Sequence, residues 1–116
     1  MRAKILNASA GSGKTYQLAY KYIRDVIDQP GLYRHILAVT FTNKATEEMK
    51  SRILKEIHRL ASGGASPYLE NLCRELSLDE RSVRKRAAEV RSKILHDYSR
   101  FTVLTIDTFF QRILRA

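Results

Sequence analysis

The apolar positions of this sequence change period along the chain, and each change marks an element. Residues 3–7 form a short apolar run that predicts a strand. After a glycine loop, Leu18, Ala19, Tyr22, Ile23, Val26 and Ile27 recur at helical spacing over residues 15–28, and Pro30 with Gly31 ends that helix. ILAVT at residues 36–40 is a continuous apolar run between polar neighbours, the pattern of a strand buried on both faces of a parallel sheet. A second helix follows, with Ala45, Met49, Ile53, Ile57 and Leu60 on one face and Glu48 and Arg52 one turn apart on the other. SGGAS at 62–66 reads as a loop, and Pro67 suits the first turn of a helix carrying Leu69, Leu72, Cys73 and Leu76. Ser77 and Glu80 have capping-box spacing ahead of a long helix whose apolar face is Val83, Ala87, Val90, Ile94 and Tyr98. TVLTI at 102–106 predicts a third strand, and residues 108–115 start another helix with Phe109, Phe110, Ile113 and Leu114. The alternation predicts an α/β domain on a parallel sheet, with a helical insertion at about 62–100.

Composition narrows the class. A chain of 116 residues that is 44% apolar can bury one packed core. Its 21 Lys and Arg against 12 Asp and Glu give a net charge of +9, which favours a polyanionic partner such as nucleic acid. Six cations, Arg81, Arg84, Lys85, Arg86, Arg91 and Lys93, lie on the long helix, either as a nucleic-acid or partner contact or as a solvated face. The single Cys73 excludes an internal disulfide and reads as a buried thiol in a reducing compartment. No apolar run approaches the roughly 18 residues that a membrane span needs, so the expectation is a cytoplasmic protein with no membrane partner. His35, His58 and His96 lack metal-ligand spacing.

Two stretches carry chemistry. ASAGSGKT, residues 8–15, departs from the phosphate-loop pattern GxxxxGK[ST] only in having Ala8 for the first glycine. Such a loop wraps backbone N–H groups around phosphate oxygens and opens into a helix N-terminus whose dipole favours the anion. Ala10, Gly11, Ser12, Gly13, Lys14 and Thr15 are therefore candidate nucleotide contacts, with Lys14 reaching the β- and γ-phosphates and the Thr15 hydroxyl holding Mg²⁺. The loop alone does not name the reaction. The second stretch, VTFTNKA, leaves a buried strand with Thr40, Phe41, Thr42, Asn43 and Lys44 at the sheet edge where open α/β folds bind ligands. An exposed Phe41 would stack on an unpaired base; alternatively Phe41 packs inward and Thr42 or Asn43 caps the helix.

ASAGSGKT, then ILAVTFTNKATEEMKSRIL, then LTIDTFFQRILRA together resemble the start of a UvrD/Rep-type superfamily 1 DNA helicase, nearest to the RecB/AddA-like helicase–nuclease branch. In that branch an alanine at the first position of motif I is common. The resemblance runs from Leu6 to Ala116 and leaves only the insertion unmatched by motif. It implies an incomplete P-loop NTPase (RecA-like) three-layer fold, the amino-terminal part of motor domain 1A, within a longer ATP-dependent helicase acting in recombination or repair. It also implies that residues 11–15 bind ATP and Mg²⁺ as motif I, Lys14 and Thr15 serving catalysis, and that residues 40–44 lie along single-stranded DNA as motif Ia. Thr105 and Asp107 fall in the segment resembling motif Ib, which contacts the DNA backbone, although many relatives carry His at the position of Asp107. An apolar strand ending in Asp also looks like a Walker B magnesium ligand. A helix N-cap is the preferred reading of Asp107, because the family's Walker B motif is an Asp-Glu pair further downstream.

Nothing in the sequence supplies that pair, a water-orienting acid or an arginine finger, so the chain by itself is expected to turn over ATP negligibly. Expected partners are single-stranded DNA, the remainder of the helicase with its second motor domain, and a helicase–nuclease partner subunit. Two other classes remain open at this point: a small P-loop phosphotransferase, and a non-enzymatic nucleic-acid-binding module with a relic loop.

Overall fold

The computed structural model describes residues 4–7 and 12–115, with side chains for 16–99 and 101–115. Three parallel strands, β1 (Lys4–Asn7), β2 (Ile36–Thr40) and β3 (Thr102–Thr105), lie in the order β1-β2-β3. Register pairs Asn7 with Val39, and Thr40 with Thr105. Both crossovers step the same way across the sheet, and crossovers of one hand then place their helices on one face. That face carries α1 (Ser12–Asp28), α2 (Asn43–Ser62) and α4 (Glu80–His96), with α3 (Leu69–Leu76) packed outside them.

One core serves these layers. Along β2 the side chains alternate, so Ile36 and Ala38 enter the cluster formed by Tyr22, Ile23 and Ile27 of α1, Met49, Ile53 and Ile57 of α2, and Val83, Ala87, Val90 and Ile94 of α4. Leu37 faces the other way and, with Leu104, lines a groove of about 370 Å³ beneath Phe109 and Ile113 of α5 (Ile106–Arg115). Among the described residues α5 is the whole third layer, and Phe110, Ile113 and Leu114 on it stay exposed. The expected parallel α/β architecture is present. Among the described residues the Tyr22 hydroxyl is the buried polar side-chain atom without a partner, and burial pushes its phenol pKa up.

Several boundaries differ from the sequence reading for local reasons. Asp28 does end α1, but Pro30 then opens a six-residue 3₁₀ turn, Pro30–His35, whose Tyr33 is buried and donates to Asp97 Oδ2 at 3.0 Å. Gly63 closes α2 at φ 86°, the left-handed conformation in which a side chain is strained. Ser77 does not begin a capping box, because it is itself the left-handed cap of α3 at φ 55°. Asp79 caps α4 instead, accepting from the Ser82 N–H at 2.8 Å, and hydrogen bonding from Ser82 holds its carboxyl below the usual range. Tyr98, expected on the apolar face of α4, lies past the end of the helix and is exposed. Arg52 reaches forward to Glu56 rather than being confined to a turn with Glu48.

The insertion is anchored to the first two helices by polar contacts. Tyr68 is buried between Tyr16 and Tyr20, with ring centroids 4.8 and 5.3 Å away, and donates to the Tyr16 carbonyl at 2.7 Å. Tyr20 donates to Glu75 at 2.7 Å, and Glu75 also meets Arg24 at 3.2 Å. The buried Glu56 carboxylate receives Arg59 at 3.3 Å and Ser66 at 3.1 Å, so its charge is compensated on the spot.

The basic side of α4 divides into two functions. Arg84 donates to the carbonyls of Leu60 at 3.1 Å and Gly64 at 3.0 Å, at the carboxyl end of α2. Arg86 donates to the carbonyls of Ile27 at 3.2 Å and Asp28 at 2.9 Å, at the carboxyl end of α1. Both satisfy carbonyls that a helix cannot bond internally, at the pole where a cation is favoured. Arg81, Lys85 and Lys93 remain exposed. Replacing Arg84 with Met should lower stability by about 1.5 kcal/mol, while Lys85→Met changes it by less than about 0.5 kcal/mol; denaturant melts of the two variants compare them directly.

Candidate nucleic-acid interface

In a parallel sheet every strand points the same way, so all three strand-to-helix connections leave one edge. Asn7 ends β1, Thr40 ends β2 and Thr105 ends β3, and neighbouring strands lie about 4.8 Å apart. The VTFTNKA turn and the start of α5 therefore share this edge with Asn7, the residue that ends β1 ahead of the glycine loop. Of the candidate nucleotide contacts, Ala10 and Gly11 lie outside the described residues, as do the side chains of Ser12, Lys14 and Thr15. The backbone of Ser12–Thr15 forms the first turn of α1, which contains no acidic residue.

The β2–α2 turn is defined in detail. Thr40 is buried, and its hydroxyl lies 2.6 Å from that of Thr46, on the buried face of α2. Thr46 Oγ1 in turn donates to the Thr42 carbonyl at 3.1 Å, and the Leu104 carbonyl of β3 is within 3.4 Å of Thr40 Oγ1. This knot holds the end of β2, the first turn of α2 and the end of β3 together. Thr42 is the N-cap, extended at φ −131°, with its hydroxyl accepting from the Ala45 N–H at 3.0 Å. With one neighbour pulled in and the next committed to capping, Phe41 between them is turned out, 53% exposed. Asn43 and Lys44 follow it into solvent.

The turn thus separates candidates that the sequence had grouped. Phe41, Asn43 and Lys44 are presented outward, Thr42 shapes the helix start, and Thr40 is an internal brace rather than a surface group. Both readings of this stretch hold in part: the aromatic ring is exposed, and a threonine caps the helix.

On the third strand, Thr105 accepts from the Thr108 N–H at 3.2 Å and donates to the Thr108 hydroxyl at 3.0 Å. Thr105, not Asp107, therefore has the capping role expected of Asp107, since α5 begins at Ile106 and Asp107 already lies inside its first turn. Asp107 is exposed there, where a carboxylate suits the helix dipole. At the start of α4, Asp79 and Glu80 are taken by other tasks, a helix cap and an ion pair with Arg84 at 3.0 Å. Among the described residues no group of three or more His, Cys, Asp or Glu is placed to hold a metal, and no helix is long and apolar enough to cross a membrane.

The sequence reading missed Thr46, because a threonine on a helix face signals nothing until its partner is known. It also missed Glu56 and the tyrosine cluster. Thr40→Val should cost about 1 kcal/mol in a denaturant melt by removing the hydroxyl that joins Thr46 to β3, while Thr46 keeps its bond to the Thr42 carbonyl; Phe41→Ala should change stability by less than about 0.5 kcal/mol.

Comparison with known proteins gives the family of the chain. Residues 2–116 match the family described as UvrD/REP helicase N-terminal domain. The chain is 31% identical over 119 residues to the RecBCD enzyme subunit RecB of Escherichia coli, covering 96% of this chain and 10% of that protein. It is 33% identical over 112 residues to the RecB protein of Chlamydia trachomatis, covering 84% of this chain and 11% of that protein. It is 37% identical over 76 residues to an ATP-dependent helicase/nuclease subunit of Bacillus mycoides, covering 64% of this chain and 6% of that one. The chain spans about a tenth of the length of the RecB relatives it matches. No solved structure matches it. With its whole length matched from residue 2 onward, the chain belongs to the UvrD/REP helicase N-terminal domain family.

Proposed function

We propose that this chain forms the nucleotide- and single-strand-binding edge of an ATP-dependent DNA helicase, in a P-loop motor domain of the RecB/AddA kind. The observation that carries the reading is the β2–α2 turn: an aromatic ring, an amide and a cation presented outward at the edge from which the glycine loop also departs. A single strand suits such a turn, since an unpaired base stacks on an exposed ring for about 1–3 kcal/mol and a lysine meets the backbone as a point charge. The Thr40–Thr46 brace supports the role by fixing where Phe41 projects.

ATP with Mg²⁺ fits the other half of the edge. The first turn of α1 combines Lys14 with a complete absence of carboxylates, so nothing within it opposes a polyphosphate. Lys14 would hold the outer phosphates and Thr15 the magnesium ion, while the N–H groups of Gly11, Ser12 and Gly13 surround the phosphate oxygens. The bound nucleotide supplies the free energy of phosphoryl transfer. The residues of this chain would bind and orient it, at the end of the strand that pairs with β2. Asp107, being exposed and anionic, does not contact phosphate; motif Ib contributes through Thr105 and the N-terminus of α5.

In the whole protein this edge would work with a second motor domain and a helicase–nuclease partner subunit, in recombination or repair and in the cytoplasm. The chain alone is expected to bind nucleotide weakly and hydrolyse it negligibly. Anisotropy with labelled oligo-dT tests the reading. Phe41→Ala should weaken binding by more than about 1 kcal/mol with an unchanged salt slope, and Lys14→Ala should abolish any effect of Mg-ATP on binding. Binding unaffected by either substitution would favour a nucleic-acid module with a relic loop.

A further inference from the structure

Along β3 lies a surface that draws on the segment resembling motif Ib but also on residues outside the motifs. β3 is an edge strand, and among the described residues its far side has no neighbouring strand. Along β3 runs a cleft of about 190 Å³ lined by Lys50 of α2, Arg112 of α5, and Tyr98, Ser99 and residues 101–104, from ahead of the amino end of β3 up to Leu104. Its size suits a phosphodiester group rather than a drug-sized ligand, whose pockets run from about 300 Å³ upward. Among the described residues neither Lys50 nor Arg112 is in an ion pair. Tyr98 at the mouth is 47% exposed, held edge-on against Phe101 with centroids 5.8 Å apart.

We infer that this cleft continues the single-strand path from the motif Ia turn, with Lys50 and Arg112 neutralising phosphates and Tyr98 stacking a base. The inference rests on the proposed DNA-binding role of the turn and extends it to Lys50 and Tyr98, outside the motifs, and to Arg112, further along the segment resembling motif Ib. Position supports the continuity. Leu104, in the cleft wall, precedes Thr105 at the shared edge, and Lys50 lies six residues, about 9 Å along the helix, beyond Lys44. The chemistry is selective as well. Two cations, a serine hydroxyl and one exposed ring match a phosphate backbone with splayed bases, whereas an apolar peptide would leave both cations without partners.

The test measures oligo-dT affinity across a salt series for the parent chain, Phe41→Ala, Tyr98→Ala and the double variant Lys50→Ala/Arg112→Ala. Removing one cation from a single-strand phosphate should flatten the slope of log K against log salt by about 0.7, so the double variant's slope should be shallower by about 1.4. Tyr98→Ala should weaken binding about tenfold and leave the slope intact. Circular dichroism melts check that these surface variants fold. An unchanged slope in the double variant, with Phe41→Ala still weakening binding, would overturn the cleft and leave the motif Ia turn in place. A flattened slope with no effect of Phe41→Ala would keep the cleft and remove the turn, and absence of binding by the parent would overturn both.

Discussion

A pair of buried hydroxyls sets the geometry of the carboxyl edge of the sheet. Thr40 closes β2 and Thr46 begins the buried face of α2, and the 2.6 Å contact between them fixes the angle at which the chain turns from sheet to helix. Because a buried hydroxyl without a partner costs about 1–3 kcal/mol, the two are held together from both sides, and the Leu104 carbonyl draws β3 into the same knot. With that turn fixed, Phe41 has no route into the core: its neighbours are occupied, and the sheet beneath is filled by Ile36 and Ala38. Exposure of the ring is thus a consequence of packing next door.

The distribution of charge follows a related logic. A net charge of +9 invites a search for a polyanion, and α4 holds the densest run of cations. Yet Arg84 and Arg86 are engaged with the carboxyl ends of α2 and α1, where the last four carbonyls of a helix would otherwise need partners from outside it. Their charges stabilise the helical layer instead of advertising a binding face. Arg81, Lys85 and Lys93 on α4 have no such task, and neither do Lys44 at the turn or Lys50 and Arg112 along β3, but the latter three lie nearer the sheet. Position relative to the strands, more than density along the sequence, distinguishes the two groups.

Much of the architecture was legible in the sequence because apolar periodicity reflects burial directly. ILAVT became β2 with the predicted limits, and the apolar faces of α1, α2 and α4 entered the core as spaced except for Ala45 and Tyr98 at their ends. What the sequence concealed were choices between equivalent local partners. Ser77 and Asp79 both suit a helix start, and the chain spends Ser77 on ending α3, leaving Asp79 as the cap. Asp107 competes with Thr105 at the start of α5, and the two-residue difference is decided by where β3 stops. In the candidate site, residue types located the edge, but only the three-dimensional arrangement separates the inward Thr40 from the outward Phe41.

The central claim is that single-stranded DNA lies across the carboxyl edge of the sheet and not on α4. Amide chemical-shift mapping of the labelled chain titrated with oligo-dT tests this most directly. The largest shifts are expected at residues 41–44 and 105–108, with the exposed cations Arg81 and Lys85 of α4 little changed. Shifts concentrated on α4, with the β2–α2 turn unmoved, would contradict it.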